Sequence, residues 1–245
     1  MSLLAQGALY LGETPKPELL AFSDLPHTVD AAVRANADDP LGHYMHDTPD
    51  NHETPAERAN RTKVAIYLMF IDDIRRGESW TINHGDSILR FSPAPVTVPR
   101  GRKALNDLIA GIINNFLNIY KIFQTKEQGK RRAEFRDKLK ATIEKALSDR
   151  VPELISLDGL STAPERQGLG YASILVSELA AMADAQSRGI WLLTNFHTTT
   201  FYARFGFKVA GTFLMGEGNP TWDKDPVVVC IMLREHDEKS ALLLP

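Results

Sequence analysis

The chain has 245 residues, of which 43 % are hydrophobic and 24 % charged, and its formal net charge is −3. This composition is typical of a globular protein with a sizeable core, and the charge gives no global attraction to nucleic acid or to an anionic membrane. The single cysteine, Cys230, excludes an internal disulfide framework and is expected to be a core residue. Without a signal-peptide start or a long apolar run, the sequence predicts a cytoplasmic protein that does not span a membrane.

The first part of the chain predicts a strand, two helices and a β-hairpin. Ser23 or Asp24 would cap the first helix, and the Asp39-Pro40 step would end it, because the residue before proline disfavours helical geometry. Apolar residues at helical spacing predict the second helix, and alternating residues predict the hairpin. The expected elements are a strand (19–22), a helix (to 37), a loop (41–56), a helix (58–76) and a hairpin (80–82 with 87–91).

Residues 103–149 predict two further helices, with Gln128-Gly129 as the joint between them. The second helix carries a basic cluster that is interleaved with acidic residues, which favours a solvated face over a nucleic-acid site. The basic residues of this cluster are Lys130, Arg131, Arg132, Arg136, Lys138 and Lys140. The wide apolar face of the first helix is Leu105, Leu108, Ile112, Ile113, Phe116, Leu117, Tyr120 and Phe123, and the narrower stripe of the second is Phe135, Leu139, Ile143 and Leu147.

The last third of the chain alternates strands with helices, a pattern that predicts an α/β domain with a partly parallel sheet. Its expected strands cover 154–162, 190–194, 207–213 and 227–233, and its expected helices cover 168–187 and 198–205.

A glycine-rich turn, residues 164–172, joins the first of these strands to the first of these helices. Such a turn presents unpaired backbone N–H groups at the positive end of a helix dipole and therefore predicts a phosphate site. No lysine follows Gly170, which excludes a P-loop. The next strand ends at Asn195 rather than at an acid, so the match to a dinucleotide-binding fingerprint is only partial.

Two segments carry a resemblance to a known family. Residues 167–172, Gln-Gly-Leu-Gly-Tyr-Ala, match the Gln/Arg-x-x-Gly-x-Gly/Ala motif of acetyl-CoA-dependent acyltransferases. Residues 195–207, from Asn195 through Phe201-Tyr202 to Gly206-Phe207, resemble the segment that follows the fifth strand in the GCN5-related N-acetyltransferase (GNAT) superfamily. The resemblance is specific over 154–233 and looser over 18–92.

The resemblance implies an α/β three-layer fold. We expect a single domain over 1–245, with a mixed, splayed sheet of six or seven strands and helices on both faces. A helical insertion at about 100–150 would separate strands 3 and 4, and the resemblance gives no counterpart for it.

The resemblance also implies transfer of an acetyl group from acetyl-CoA, as cosubstrate, to a primary amine, by direct attack in a ternary complex. The cofactor would be held by residues of the turn and of the two flanking strands. The turn residues expected at its pyrophosphate are Gln167, Gly168, Leu169, Gly170, Tyr171 and Ala172. The strand residues expected along its pantetheine arm are Leu160, Ser161 and Thr162, with Asn195 either contacting that arm or capping the next helix.

Two residues are candidates for acid–base catalysis. By the resemblance, Tyr202 would protonate the departing thiolate, although a core tyrosine with a satisfied hydroxyl would also fit its aromatic-rich segment. Asp158 is the leading candidate for the general base because it lies within an apolar strand; the alternative is a hydrogen-bonded or turn aspartate beside Gly159. His84 and Glu153 are weaker candidates.

A His- and Asp-rich segment, residues 43–52, is interpreted as a solvated loop, and no metal is expected because the chemistry needs none. The acceptor would lie near the first two helices, the insertion and loop 216–222, with Trp222 and Tyr67 as aromatic contacts. A small-molecule amine is the expected partner of a monomer or homodimer. An acyl-CoA-binding sensor and an interaction protein on the same scaffold remain open.

Overall fold

The computed structural model describes residues 15–119 and 124–237. Its strands are β1 (Glu18–Leu19), β2 (Ser79–Ile82), β3 (Ser87–Ser92), β4 (Ile155–Thr162), β5 (Ile190–Asn195), β6 (Lys208–Met215) and β7 (Val227–Arg234). Its α-helices are α1 (Leu25–Ala35), α2 (Pro40–His46), α3 (Pro55–Arg76), α4 (Arg100–Ile119), α5 (Lys126–Leu147), α6 (Tyr171–Ala185) and α7 (Thr199–Ala203).

The strands form one mixed sheet in the order β1-β2-β3-β4-β5-β7-β6. Neighbouring residues of a strand pack on opposite faces: Leu89 belongs to the core under α6, whereas Ile88 packs with α1 and α3. In the same way, Met232 faces α6 and Ile231 faces α5. Helices therefore cover both faces of the sheet, as the sequence predicted, and the buried Cys230 lies in the core as expected.

The sheet splays between β4 and β5. These two strands are parallel, but their pairing covers only three positions and ends at Leu157 and Leu192. On its other side β4 stays paired with β3 as far as Thr162, apart from a register shift opposite Asp158. The edge of β4 that faces β5 therefore has no strand partner over its second half, and the predicted splay is confirmed.

Residues 41–56 are not a continuous loop, because helix α2 begins at Pro40. Asp39 is its N-cap: the Asp39 Oδ2 accepts a hydrogen bond from the Gly42 N–H at 2.8 Å. Proline is favoured in a first helical turn, where its missing N–H would have no partner in any case. The Asp39-Pro40 step thus ends one helix and starts the next, and the start was missed.

The joint in the insertion also differs from the prediction. Thr125 and Gln128 form a reciprocal capping box at the start of α5, which places Gln128 and Gly129 inside that helix. The turn falls before Thr125, and the predicted face residues Tyr120 and Phe123 lie outside the described residues.

The insertion is otherwise where it was predicted, since α4 and α5 follow β3 and precede β4. The apolar stripe of α5 packs against β6, with the Phe135 and Phe213 rings 6.0 Å apart. Gly211 permits this close approach, because a Cβ there would lie 2.8 Å from the Thr142 Cγ2. By contrast, Leu105, Leu108 and Ile112 of α4 are exposed. No helix within the described ranges combines the length and the apolar character needed to cross a membrane.

Candidate active site

The glycine turn before α6 presents a row of backbone donors. Gly168 and Gly170 have φ values of +78° and +84°, which favour glycine, and Gly170 is the N-cap of α6. Within the described residues, none of the N–H groups from Gly168 to Ser173 donates to a protein acceptor. A Cβ on either glycine would meet no atom within 4 Å, so the turn is open. This arrangement is a site for an anion at a helix N-terminus.

Side chains on both sides hold this turn in place. Arg34 of α1 donates two hydrogen bonds to the Glu165 carboxylate, at 2.6 and 2.9 Å, and Arg166 lies 3.1 Å from the Asp86 carboxylate. The Gln167 amide donates to the Thr162 carbonyl oxygen at 3.3 Å. The predicted Gln167 side chain therefore supports the turn, and the donors that the turn offers are backbone groups.

The second half of β4 continues from this turn toward the middle of the sheet. Ser161 and Thr162 bond to neighbours on the β3 and α1 side: the Ser161 Oγ accepts from Asn36 at 3.0 Å, and the Thr162 Oγ1 lies 2.8 Å from the Ser87 Oγ. The half-buried Leu160 packs against the core. The unpaired β4 edge and the unpaired donors of the turn thus form one continuous polar rim.

Tyr202 lies in the core beneath the splay. Its ring is 7 % exposed and packs between Phe201 and Phe207, with centroids 5.1 and 5.8 Å away. Burial raises the pKa of the Tyr202 phenol well above its usual range, so the hydroxyl is protonated at neutral pH. None of the described residues hydrogen-bonds to that hydroxyl, which therefore remains a free donor.

Asn195 does not cap the turn that follows β5, so the capping interpretation is wrong. The Asn195 Nδ2 instead donates to the Asp39 Oδ1 at 2.5 Å, and this bond ties the end of β5 to the start of α2. The Asn195 Oδ1 is buried without a partner among the described residues.

Asp158 lies exposed at the register shift between β3 and β4. Its two carboxylate oxygens accept hydrogen bonds from Ser92 and Ser156, each at 2.6 Å, which fixes the orientation of the carboxylate. Of the weaker candidates, His84 is largely exposed in the β2–β3 turn, and the Glu153 backbone carbonyl accepts a bond from Arg188.

A pocket of about 460 Å³ opens at the end of β5. The side chains that give it aromatic and charged character come from three separated segments: Asp38, His43, Phe196, His197, Trp222, Lys224 and Asp225. Trp222 thus lies where an acceptor was expected, but Tyr67 is on α3 and lines a different depression with Lys63 and Val64. The proposed aromatic pair is not brought together.

His43 is a residue that sequence reasoning did not place in the site. Its Nδ1 lies 2.9 Å from the Asp47 Oδ2, and the other oxygen of Asp47 accepts from the Arg58 guanidinium at 2.7 Å. The i,i+4 spacing of His43 and Asp47 is the signal that would have found the pair, had the helix been recognised. In the part of the chain that the structure describes, no three His, Cys, Asp or Glu side chains converge in a way that could hold a metal ion.

Arg131 supports the loop that carries the pocket residue Trp222. The prediction that Arg131 belongs to a solvated basic face was wrong. The side chain is fully buried, donates to the Tyr44 and Thr221 carbonyl oxygens, and lies over the Tyr44 and Trp222 rings at 4.6 and 5.5 Å. Glu127 accompanies it and accepts a bond from Thr221 at 2.7 Å; this bond and a second one from Asn219 lower the pKa of Glu127 to about 2. Arg131 thereby fixes the loop that carries Trp222.

The sequence model of the acetyltransferase (GNAT) domain matches residues 133–209, which include β4, the glycine turn and α7. Arylalkylamine N-acetyltransferase 2 from Aedes aegypti is similar in structure, at 14 % identity and a TM-score of 0.56, with 91 % of this chain and 100 % of that chain covered. A structure titled histone acetyltransferase HPA2 and related acetyltransferase, from Corynebacterium glutamicum, matches at 17 % identity and a TM-score of 0.50, covering 91 % and 97 %. Among curated proteins the sequence has no significant match.

Residues 133–209 thus match an acetyltransferase (GNAT) domain, and the described fold is similar to that of solved acetyltransferases. The matched residues include the glycine turn and the 195–207 segment, the two places where the sequence carries its resemblance to the GNAT superfamily.

Proposed function

We propose that the protein transfers an acetyl group from acetyl-CoA to the primary amine of a small molecule, by direct attack in a ternary complex. The observation that carries this proposal is the run of unpaired N–H groups from Gly168 to Ser173, continuous with the unpaired edge of β4. A diphosphate followed by an amide-bearing chain has the chemistry that such a rim complements.

The residues present fit acetyl-CoA. The N–H groups of the turn would hold the pyrophosphate, and backbone groups of Leu160, Ser161 and Thr162 would bond the amides of the pantetheine arm. When bound, acetyl-CoA supplies the activated acyl group. A backbone N–H of β4 near Leu160 would polarise the thioester carbonyl, which is the kind of contribution an oxyanion hole makes.

Direct attack is favoured because no activated nucleophile for an acyl-enzyme is evident among the described residues. Cys230 is buried in the core, and burial raises the pKa of its thiol, so a reactive thiolate is not available there. Tyr202 has the opposite character: its phenol is protonated and free to donate. We propose it as the general acid that protonates the departing thiolate.

The acceptor amine would occupy the pocket at the end of β5. Trp222 and Phe196 offer aromatic surface, and Asp38 and Asp225 offer carboxylates, which together suit an ammonium group on an apolar body. The Trp222 ring already holds a cation of this chain, since the Lys224 Nζ lies 5.3 Å from its centroid.

An amine with a pKa of about 10 must lose a proton before it attacks. We propose Asp158 as the base that receives it, because the two serine hydroxyls orient its carboxylate beside the splay. His43 is the second candidate, because it lines the acceptor pocket and Asp47 orients its ring. Asp158→Asn and His43→Gln separate the two: the variant that lacks the base loses about 100-fold in kcat and the lower limb of its pH–rate profile, and the other keeps both.

A panel of aliphatic, aromatic and polyamine acceptors, screened for release of free CoA, tests the function itself. The proposal predicts turnover with at least one primary amine and none with the matching alcohol. Binding of CoA without turnover of any amine would favour a sensor. Absence of both binding and turnover would leave only a scaffold for protein interaction and would overturn the proposal.

A further inference from the structure

A second cavity, of about 600 Å³, lies between α3, α4 and the start of α5. It shares no lining residue with the pocket at the end of β5 or with the glycine turn. Two of its three helical walls belong to the insertion, the part for which the family resemblance gave no counterpart. Its volume is in the range of sites that enclose a small molecule.

The charged groups that line this cavity are all basic or potentially basic. Arg61 enters from α3, Arg132 from α5 and His46 from the end of α2, and none of the described lining residues is a carboxylate. Arg61 donates to Glu53 at 2.6 Å, and that acid lies outside the cavity. Arg132 has no ion pair or hydrogen bond with any described residue. Burial and the neighbouring Arg61 charge lower the pKa of Arg132.

His46 adds an unpaired polar atom to the same wall. Its Nδ1 is buried and has no hydrogen-bond partner among the described residues. Burial, together with the charges of Arg132, Arg58 and Arg61, lowers the pKa of His46 to about 4, so the ring is neutral at pH 7. A buried polar atom left unpaired is destabilising, and a hydrogen bond between a ligand and the Nδ1 would relieve that cost.

The rest of the wall is amide and apolar. Asn118 and Gln128 add donors, and Ile66, Met69 and Leu117 give the cavity an apolar side. A guanidinium is well suited to bind a carboxylate through two hydrogen bonds. The apolar side of the cavity would contact a hydrocarbon part of the same ligand.

We infer that the cavity between α3, α4 and α5 binds a small organic carboxylate, with its head group at Arg61 and Arg132 and its apolar body against Ile66, Met69 and Leu117. This site is separate from the one that holds acetyl-CoA and the amine, and it does not depend on the proposed function.

Calorimetric titration of the full chain, without CoA, tests this inference. The probes are hexanoate, octanoate and 3-phenylpropionate, together with hexanamide and inorganic phosphate. We expect one carboxylate per chain to bind, with hexanamide and phosphate at least 10-fold weaker. Arg132→Gln is expected to weaken carboxylate binding at least 10-fold. Arg136→Gln, one turn further along α5 and exposed beside Asp137, is the matched control and should leave binding unchanged.

Ala65→Phe provides a second variant, because it fills the cavity without removing a charge and should abolish binding while the circular dichroism spectrum stays that of the native protein. No binding of any carboxylate at millimolar concentration would overturn the inference. So would binding that survives both Arg132→Gln and Ala65→Phe, or phosphate binding as tightly as the carboxylates.

Discussion

The cofactor end of the candidate site consists of backbone groups from one turn, whereas the acceptor end consists of side chains from three separated segments. The turn at 168–173 needs only two glycines and a helix start to present its donors. The acceptor pocket needs α2, the end of β5 and the loop before β7 to meet, and buried Arg131 to hold them. Recognition by backbone groups tolerates changes in most side chains, whereas a pocket built from side chains changes its ligand when those side chains change.

The comparison predicts that the acceptor end is the more fragile. Arg131→Leu removes the donors that bond the Tyr44 and Thr221 carbonyl oxygens and leaves Glu127 without its guanidinium. We expect the free energy of unfolding to fall by about 3 kcal/mol or more, measured by chemical denaturation. Arg136→Gln, on the same helix but exposed, should change it little. Equal stability of the two variants would show that Arg131 is not the support.

Tyr202 is a core residue that belongs to neither end, and its substitution should affect chemistry alone. Tyr202→Phe removes a hydroxyl that has no partner among the described residues, so the fold should keep its stability. We expect kcat to fall about 100-fold, with both KM values nearly unchanged. If the variant turned over at the wild-type rate, Tyr202 would be a packing residue and not the general acid.

A substitution at Gly170 should affect the cofactor end alone. An alanine at a φ of +84° costs about 1–2 kcal/mol unless the turn rearranges. We therefore expect Gly170→Ala to raise the KM for acetyl-CoA about 10-fold and to leave the KM for the amine unchanged. Leu169→Ala, at an exposed neighbouring position without this backbone demand, is the control and should behave as the wild type.

A substitution at Trp222 should affect the acceptor end alone, and its expected effect is the smallest of those considered. Trp222→Leu removes an aromatic face worth about 1 kcal/mol to a cation, so the KM for the amine should rise about 5-fold while that for acetyl-CoA stays constant. Trp222→Phe should restore most of the loss. If Gly170→Ala and Trp222→Leu changed the same KM, the division of the site into two ends would be wrong.

Local patterns in the sequence predicted the elements whose causes are local. The stripe of α5, the alternation of the hairpin and the strand–glycine–helix junction each depend on neighbours in the chain, and the structure has all three. The glycine turn could be predicted for the same reason, because its backbone donors come from one short segment.

The acceptor end depends on contacts that no local pattern records. Arg131 lies among charged neighbours on α5. It is buried only because Tyr44 and Thr221, which are 87 and 90 residues away in the chain, pack over it. Helix α2 was missed because Asp39-Pro40 was interpreted only as a stop, although aspartate followed by proline is also a helix start. Because α2 was not predicted, His43 and its pairing with Asp47 were missed as well.

The central claim is that the backbone N–H groups of the glycine turn hold the CoA pyrophosphate. Titration of CoA into ¹⁵N-labelled protein, followed by amide chemical shifts, measures this directly. The account predicts that the largest shifts fall on Gly168 to Ser173, with smaller ones on Leu160 to Thr162, and that pantetheine, which lacks the pyrophosphate, moves only the second group. Saturation with CoA while the amides of 168–173 stay still would contradict it.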